Sequence, residues 1–117
     1  METAQTLLIL TNLPDEASAQ TLASRLVEAR LAACVNILAP CRSVYRWQGG
    51  LEDAQEVPLL IKTTAARYPA LEAAIRASHP YELPEIIAVP IVRGLPDYLS
   101  WVAAETLPAA TESPAAC

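Results

Sequence analysis

The sequence predicts an α+β fold with the element order β-α-β-β-α-β and a short helix at the end. Apolar runs rich in β-favouring residues alternate with segments whose apolar residues recur at helical spacing. A Gln-Gly-Gly turn signal separates two long β-favouring segments, which is typical of a hairpin. No long spacer or change of composition interrupts the 117 residues before residue 106. One domain is therefore predicted over 1–107, followed by a disordered tail over 108–117.

The first strand and the first helix are marked by a change of periodicity. Thr6 to Leu13 is a short apolar run that ends before a proline, which predicts a buried strand. Asp15, Glu16 and Ser18 then supply side chains that favour a helix N-terminus. The helix is predicted over 17–30, with an apolar face formed by Ala19, Leu22, Ala23, Leu26 and Ala29.

The middle of the chain predicts a long hairpin. Ala33 to Trp47 is rich in β-favouring residues and is predicted to be one continuous strand. Gln48 to Gly50 is the turn, and Leu51 to Thr63 returns as the partner strand. Tyr45 and Trp47 share a face because side chains alternate along a strand, and we interpret them as an anchor between subunits rather than a ligand platform.

The second half of the chain predicts a helix, a strand and a last helix. The helix is predicted to begin near Ala66 and to end before Pro80, with Pro69 in its first turn. Glu85 to Val92 is predicted to be the fourth strand. Pro96 opens the last helix, whose shared apolar face is predicted to consist of Tyr98, Trp101 and Val102.

This element order is the split βαβ, or ferredoxin-like, pattern, in which strands one and three occupy the middle of the sheet. Proline cannot donate a hydrogen bond to a central ladder, so its positions test the pattern. Pro40 and Pro90 fall on the edge strands. Pro58 falls on a central strand and is tolerable only where the hairpin projects beyond the four-stranded core. A projecting two-stranded ribbon is not stable alone, so an isolated monomer is expected to be incomplete.

The composition excludes several classes of partner. The net charge is −5 and the cations are scattered singly, so no surface for nucleic acid is predicted. The apolar run Leu7 to Leu10 is too short for a signal or membrane-spanning segment, and Glu2 stands where a signal peptide is positive. We therefore expect a cytoplasmic protein that does not bind membranes. Hydrophobic residues make up 53% of the chain, a surplus that small domains often bury between subunits.

The three cysteines do not predict a disulfide framework, because their number is odd and no CxxC spacing occurs. In a continuous strand, Cys34 and Cys41 would lie on opposite faces and roughly 23 Å apart. They could then share neither a metal ion nor a bond. We expect Cys34 to be a small buried apolar side chain.

The densest group of polar side chains lies between the second helix and the fourth strand. Two prolines stiffen the segment from Ser78 to Glu85, which carries the only histidine, His79, together with Tyr81, Glu82 and Glu85. Imidazole and carboxylate are common ligands of copper and zinc, so one hypothesis is a divalent-metal site at His79. The alternative is that His79 caps the C-terminal end of the helix and that the two acids are solvated.

Other polar residues allow further alternatives. His79 could act as a general base with Glu82, or as the partner of a Cys41 nucleophile. The chain has no nucleophile elbow, phosphate-binding loop or HExxH motif, so we predict that it is not an enzyme. Lys62 and Glu56 are candidate ligand-binding charges, and the alternative for them is a solvated or intersubunit ion pair.

From about Leu7 to Leu107 the sequence resembles the CutA, or divalent-cation-tolerance, family. The resemblance is carried in order by TNLPDEASAQTLASRLVEARLAACVNI, SVYRWQGGLEDAQEVPLLIKTT, HPYELPEI and DYLSW. It implies a cytoplasmic homotrimer of ferredoxin-like subunits, similar in architecture to PII signalling proteins, with long hairpins that wrap neighbouring subunits. The positions shared with the family that look like a cleft between subunits are Trp47, Glu56, Lys62, His79, Tyr81, Glu82 and Glu85.

The resemblance also implies a role in tolerance of divalent cations, with binding of Cu(II) or another divalent cation. In some bacterial members the copper site is similar to a cysteine at the end of the first strand plus two consecutive histidines before a Pro-Tyr motif. The matching positions here hold Thr11, Ser78 and His79, so only His79 matches. We expect a trimeric metal-responsive protein with His79 as its metal ligand. The alternative is a structural or PII-like small-molecule-sensing trimer that binds no metal.

Overall fold

Five strands and three helices make up residues 4–108, the part of the chain that the computed structural model describes. In chain order they are β1 Thr6–Leu13, α1 Glu16–Glu28, β2 Cys34–Ile37, β3 Cys41–Trp47, β4 Gly50–Thr64, α2 Tyr68–Ser78, β5 Ile87–Pro90 and α3 Pro96–Glu105. Of the predicted disordered tail, only Pro108 belongs to the described residues. None of the helices in this part of the chain is long and apolar enough to cross a membrane.

The strands form an antiparallel sheet in the order β2-β4-β1-β5, and β3 pairs with β4 outside this path. The central strands pair along the whole of β1, from Thr6 opposite Thr64 to Leu13 opposite Val57. The edge strands β2 and β5 have four residues each. This order places the first and third predicted strands in the middle, as expected, and divides the second predicted strand into β2 and β3.

The core lies between one face of the sheet and helices α1 and α2. Because side chains alternate along a strand, Ile9, Leu59 and Ile61 point to this face, and all three are fully buried. Burial of one such side chain stabilises the fold by about 1.5–3 kcal/mol. The buried apolar cluster consists of Ile9, Leu13, Ala19, Leu22, Leu26, Ala32, Val57, Leu59, Ile61, Leu71 and Ile75.

The opposite side of the sheet, which we call the open face, is less well covered. Leu8, Leu10 and Leu60 point to it and are half-buried. Ile87 and Val89 lie on the same face, opposite Leu10 and Leu8, and are 50% and 45% exposed. An apolar sheet face with this exposure is typical of a surface that meets another subunit.

The two packing helices begin close to their predicted starts. Asp15 caps α1, because its carboxylate accepts a hydrogen bond of 2.7 Å from the Ser18 N–H. Helix α2 begins at Tyr68 instead of Ala66, since the three residues after β4 form a turn. Pro69 lies in the first turn of α2, as predicted, where its missing N–H is not needed.

The predicted end of the first helix at residue 30 is two residues too late. Arg30 takes a left-handed φ of 60°, which stops the helix. The Leu31 N–H then donates a hydrogen bond of 3.0 Å to Leu26 O, which is the 6→1 hydrogen bond of a Schellman motif. Leu26 belongs to the buried cluster and Leu31 packs against that cluster, so both leucines of this ending contribute to the core.

The predicted continuous strand from Ala33 to Trp47 is wrong in its middle, where it divides around Pro40. The break also explains Pro58, which was expected on the projecting part but lies opposite Asn12 inside the sheet. The Leu38 N–H donates to Pro58 O at 3.0 Å. The backbone polar atoms of Pro58 therefore point toward the break, where the ladder does not need its missing N–H.

Beyond the four-stranded part, β3 and the first half of β4 form a two-stranded ribbon, from Cys41 opposite Glu56 to Trp47 opposite Gly50. The turn is Gln48-Gly49, with φ of 49° and 83°, as a type I′ turn requires. Gly50, predicted in the turn, begins β4 instead. The radius of gyration of 15.5 Å exceeds the value of about 13 Å typical of a compact chain of this length, because the ribbon projects.

The last two elements are a strand shorter than predicted and a helix that is only partly covered. Strand β5 covers Ile87–Pro90 rather than 85–92, because only these four residues pair with β1. In α3, Val102 is fully buried, whereas Tyr98 and Trp101 are 39% and 43% exposed. The two rings pack on each other with 5.6 Å between their centroids. The three residues lie in the predicted helix, and of their shared face only Val102 is covered by the rest of the chain.

Candidate functional site

Glu56 and Tyr81 meet at the root of the ribbon, where β4 enters the four-stranded part of the sheet. Glu56 is only 8% exposed although it is acidic, and its carboxylate faces the Tyr81 hydroxyl. Burial raises the pKa of Tyr81 to about 12, and the facing Glu56 adds to the shift because an ionised phenol beside a carboxylate is unfavourable. The phenol therefore keeps its proton at neutral pH.

His79 holds Tyr81 in place. Their rings pack with 4.7 Å between centroids, and the Tyr81 N–H donates to His79 Nδ1 at 3.1 Å. Since Nδ1 accepts, the hydrogen-bond network assigns the ring proton to Nε2, which donates to Asn12 O at 2.7 Å. His79 thus ties the segment after α2 to the end of β1.

Both ring nitrogens of His79 are therefore occupied inside the chain. Imidazole binds a metal ion through a free nitrogen, so binding at His79 requires one of the two hydrogen bonds to break. Residues 4–108 contain no group of three or more His, Cys, Asp or Glu side chains that could hold a metal ion. The donor set of one chain does not fit a metal centre.

The two positions that the family resemblance links with further copper ligands do not supply them. Ser78 Oγ donates to Ala74 O at 3.2 Å within α2. Thr11 is 1% exposed, and its hydroxyl has no hydrogen-bond partner among the described residues.

His79 does occupy the C-cap position of α2, where its backbone N–H donates to Ile75 O at 2.9 Å. The capping interpretation is thus right for the backbone and wrong for the ring, which binds β1.

The two acids that follow His79 differ in their contacts. Glu85 Oε1 accepts a hydrogen bond of 3.1 Å from Asn12 Nδ2, so this exposed acid is tied to the end of β1. Glu82 is exposed to solvent. The expectation that both acids are solvated is therefore incomplete for Glu85, which helps to orient the segment that carries Tyr81.

The surroundings of Glu56 are electrically negative. Asp15 at the start of α1 is a further acid whose charge raises the pKa of Tyr81. The only ion pair within residues 4–108 joins Arg42 and Asp53 on the ribbon. This part of the chain therefore gives Glu56 no cationic partner. A buried carboxylate without a counter-charge is unfavourable, and a cation or hydrogen-bond donor from outside the chain would stabilise it.

The other predicted cleft residues on β3 and β4 lie elsewhere in the same chain. Lys62 is opposite Cys34, six residues beyond Glu56 on β4. Trp47 is opposite Gly50, six residues before Glu56. At the rise of an extended strand, each separation is about 20 Å. The predicted set therefore does not form one cleft within one chain.

Lys62 belongs to a second polar group, on the open face. Its Nζ contacts Asn36 Oδ1 and lies 3.9 Å from Cys34 Sγ. The expectation that Cys34 is a buried apolar side chain is wrong, since it is half-buried beside an ammonium group. Cys34 and Cys41 are both free thiols, and their partners on β4 keep them about 20 Å apart in spite of the strand break.

Neither catalytic arrangement considered from the sequence is assembled in the chain. Cys41 is exposed on the ribbon with its Sγ 3.9 Å from Ser43 Oγ. Both nitrogens of His79 bind backbone atoms, so neither is directed at Glu82 or at a thiol. A groove of about 410 Å³ between α1 and the end of α2 has Arg25 in its wall, and none of the predicted cleft residues lines it.

Sequence reasoning missed two amide side chains in these groups. Asn12 binds Glu85 and lies beside His79, and Asn36 binds Lys62. A signal for both was available, because each is a polar residue within a largely apolar strand. Polar groups in such positions usually satisfy a specific partner.

Comparison with known proteins gives consistent matches over nearly the whole described chain. The family model of the CutA1 divalent ion tolerance protein matches residues 7–105. The divalent-cation tolerance protein CutA of Thermus thermophilus is 48% identical over 98 residues, which cover 84% of this chain and 95% of the relative. The crystal structure of CutA1 from Oryza sativa has a TM-score of 0.87 at 35% identity, and the match covers 95% of this chain and 98% of that one.

A third comparison extends the match to an archaeal protein. The structure of the periplasmic divalent cation tolerance protein CutA from Archaeoglobus fulgidus has a TM-score of 0.85 at 35% identity, and the match covers 87% of this chain and 99% of that one. Sequence and fold thus agree across bacterial, plant and archaeal relatives. The chain belongs to the CutA1 family of divalent ion tolerance proteins.

Proposed function

We propose that this chain serves divalent-cation tolerance as a homotrimer of ferredoxin-like subunits whose functional cleft lies between subunits. The shared name of the relatives supports the role in cation tolerance. The sheet order, with both central strands antiparallel and two helices packed on one face, supports the ferredoxin-like assignment. No catalytic step belongs to this function.

The observation that carries the intersubunit cleft is the spacing of Trp47, Glu56 and Lys62. Each lies about 20 Å from the next along an extended ribbon and strand. Extended strands cannot bend enough to bring such residues together within one chain. A cleft that contains all three therefore takes them from different subunits, with the ribbon of one chain reaching the sheet of another.

The distribution of exposed apolar side chains supports the same assembly. The ribbon has little cover of its own, and a two-stranded ribbon is marginal without a partner. Large apolar side chains are exposed on the ribbon, on the open face and on α3, among them Val44, Leu51, Ile87, Val89 and Trp101. Subunit contacts on these surfaces would remove them from water, which favours association.

Within this trimer, His79 is our candidate ligand for Cu(II) or another divalent cation. Binding there has to displace either the Asn12 carbonyl or the Tyr81 N–H from the ring. The positions of further ligands in some relatives hold Thr11 and Ser78, which do not replace a thiolate and an imidazole as soft or nitrogen ligands. We therefore expect binding that depends on His79 and is weak.

A second candidate function is a structural or PII-like sensing trimer that binds a small molecule and no metal. The burial of Glu56 beside Tyr81 favours it, because this carboxylate has no cationic partner within residues 4–108. A ligand with an amine or another donor group would satisfy Glu56 without any metal ion. In this case the cleft between subunits is the same, and only the bound species differs.

We also propose that the protein is cytoplasmic. The thiols of Cys34 and Cys41 are free, which suits a reducing compartment. The relative from Archaeoglobus fulgidus is named as periplasmic, so the compartment needs a direct measurement. Fractionation of the native host with antibody detection would decide it, and recovery in the periplasmic fraction would contradict the proposal.

Sedimentation equilibrium tests the assembly. The wild-type protein is expected at three times its chain mass of 12.6 kDa. Trp47→Ala is expected to weaken the trimer, since truncation of a buried aromatic side chain costs about 3–5 kcal/mol. Val27→Ala, at an exposed position on α1, is the matched control and is expected to leave the trimer intact. A stable wild-type monomer at micromolar concentration would refute both the trimer and its cleft.

A Cu(II) titration separates the two candidate functions. Wild type, His79→Ala and Cys34→Ala are compared by calorimetry, with Glu28→Gln, at an exposed position at the end of α1, as a control for general loss of negative charge. Loss of binding in His79→Ala alone supports the metal site. Loss in Cys34→Ala alone would move the ligand to the thiol of β2. Absence of binding by all four proteins would support the metal-free trimer.

A further inference from the structure

Cys34 and Lys62 face each other across β2 and β4 on the open face of the sheet. The strand register places them directly opposite, and the Cβ atoms of such cross-strand pairs lie about 4.5–5.5 Å apart. Lys62 Nζ is 3.9 Å from Cys34 Sγ. The backbone pairing itself thus holds a thiol and an amine within reach of a bond between them.

Two further side chains lie beside this pair. Asn36 Oδ1 accepts a hydrogen bond from Lys62 Nζ, which keeps the amine above β2. From α3, the Tyr98 hydroxyl faces Cys34. Burial raises the pKa of Tyr98 and the neighbouring Cys34 adds to the shift, so the phenol stays protonated. It can then donate a hydrogen bond to the sulfur or to an oxygen atom bound to the sulfur.

The residue type opposite Cys34 is chemically specific. Lys62 is the only lysine of the sequence, and the other seven of its eight Lys and Arg residues are arginines. A guanidinium group does not lose its proton in proteins, whereas an ammonium group can do so and become a nucleophile. The only amine side chain in the sequence therefore stands beside a half-buried thiol.

We propose that Cys34 and Lys62 form an oxidant-responsive pair that closes a sulfenamide bridge between β2 and β4. Hydrogen peroxide first transfers one oxygen atom to the Cys34 thiol, which gives a sulfenic acid and one water molecule. The Lys62 amine, after loss of its proton to solvent, attacks the sulfur. The S–N bond forms, the S–O bond breaks, and the hydroxyl leaves as a second water. Sulfur is oxidised and peroxide is reduced, and an added thiol reverses the step.

The bridge has two structural consequences. It links the edge strand β2 covalently to the central strand β4, and it removes the positive charge of Lys62. The covalent link between the two strands follows from the register alone. Loss of the Lys62 charge would change the proposed intersubunit cleft, so this consequence rests on the proposed function, whereas formation of the bridge does not.

The test uses the full chain with Cys41→Ser and Cys117→Ser, which leaves Cys34 as the only thiol and excludes a disulfide within the chain. Treatment with hydrogen peroxide is expected to lower the intact mass by about 2 Da, because two hydrogen atoms are lost overall. A reducing thiol restores the mass. Peptic digestion should yield one peptide pair joined through Cys34 and Lys62. Trypsin should no longer cut after Lys62.

Lys62→Arg in the same background is the matched control, since it keeps the charge but lacks a nucleophilic amine. Its Cys34 peptide is expected to gain about 16 Da or more, from sulfenic and higher acids, with no linked peptide. Circular dichroism checks its fold, and the linked peptide of the Lys62 protein decides the question even if this variant does not fold. A mass loss that persists in Lys62→Arg would overturn the bridge. So would a Cys34 that becomes oxidised, or stays unreacted, without a link to Lys62.

Discussion

At the scale of single residues, two buried threonines show how differently one hydroxyl group can be placed. Thr63 is fully buried and its Oγ1 donates to Leu31 O at 2.7 Å. Thr11 is 1% exposed, and its Oγ1 has no hydrogen-bond partner among the described residues. A buried hydroxyl that is hydrogen-bonded stabilises the fold, whereas an unpaired one retains its desolvation penalty.

Replacement of each threonine by valine should therefore have opposite effects. Thr11→Val is expected to raise the free energy of unfolding by about 1 kcal/mol, and Thr63→Val to lower it by about 1 kcal/mol. Urea unfolding at one fixed protein concentration measures both, because the proposed assembly would make stability depend on concentration. Equal destabilisation by the two changes would mean that Thr11 has a partner such as an ordered water molecule.

Arg30 combines an unfavourable backbone conformation with a long-range contact. Its φ is 60°, a region that residues with a Cβ atom rarely adopt. Its side chain donates to Ala104 O at 3.3 Å, in the last turn of α3, and to Leu107 O at 2.8 Å, just beyond the helix. The arginine thus ends α1 and holds α3 at the same time.

Two substitutions at Arg30 separate these effects. Arg30→Gly and Arg30→Ala both lose the contact with α3. Only the alanine variant retains a Cβ atom in the unfavourable left-handed backbone conformation. The alanine variant is expected to be the less stable of the two by about 1 kcal/mol. Thermal unfolding of both variants at equal concentration measures the difference. Equal stability would show that the backbone at residue 30 relaxes when the side chain is removed.

At the scale of secondary-structure elements, α1 depends on the charge state of its cap. The hydrogen bond from the Ser18 N–H lowers the pKa of Asp15 below its usual 3.8. A lowered folded-state pKa stabilises the fold when the carboxyl is ionised. This contribution is fully present above pH 3.8 and is lost as the pH falls through the lower folded value.

Asp15→Asn tests this pH dependence, because Asn also accepts the capping hydrogen bond but does not titrate. Wild type is expected to melt at a higher temperature than the variant at about pH 7, and the difference should shrink as the pH falls below 3.8. Melting curves across this range measure it. A difference that stays constant with pH would show that shape, and not charge, distinguishes the two caps.

The ribbon depends on its two-residue turn. Both turn residues have positive φ, which a glycine or an asparagine adopts more easily than a glutamine. A Cβ added to Gly49 meets no atom within 4 Å, so the cost of a side chain there is conformational and not steric. At Gly50 an added Cβ would lie at an ordinary 3.8 Å from Trp47 O.

Three substitutions follow for the turn. Gln48→Asn is expected to stabilise the protein slightly, by less than about 1 kcal/mol, and Gly49→Ala to destabilise it by about 1 kcal/mol or more. Gly50→Ala is the matched control and should change little. Unfolding midpoints at one concentration compare them. Equal effects of the two glycine changes would contradict the type I′ turn.

At the scale of the whole molecule, size, charge and exposed apolar area favour association. The described chain spans 50 × 32 × 24 Å because the ribbon projects from the sheet. The net charge of −5 is small enough that electrostatic repulsion between copies of the chain is modest. In the trimer that we propose, the exposed apolar side chains of the ribbon and the open face would supply the driving force.

The two tryptophans allow assembly to be followed by fluorescence. Trp101→Phe leaves Trp47 at the ribbon tip as the only tryptophan, since the sequence has two. Its emission is expected to shift to longer wavelength when the proposed trimer is diluted and dissociates, because Trp47 then enters water. Trp47→Phe, which leaves Trp101, gives the comparison. An emission from Trp47 that stays constant while sedimentation shows dissociation would place it outside the contacts.

Short-range features were predictable because neighbours in the sequence control them. The bounds of β1 were predicted correctly from its apolar run, and Asp15, Pro69 and the Gln48-Gly49 turn act as expected. Three residues or fewer decide each cap or turn, so their types are enough. The same holds for family membership, which rested on ordered motifs and is shown by the comparisons.

The sequence by itself determined the order of elements apart from the division of the second predicted strand, and it determined the caps, the turn and the family. Only the tertiary structure decided which distant side chains meet: His79 with Asn12, Glu56 with Tyr81, and Lys62 with Cys34. These contacts depend on strand register and on the break around Pro40. Register is set by the sum of many pairings along a sheet, and no single residue type records it. A shift by one residue would exchange the two faces, and with them every partner of these polar groups.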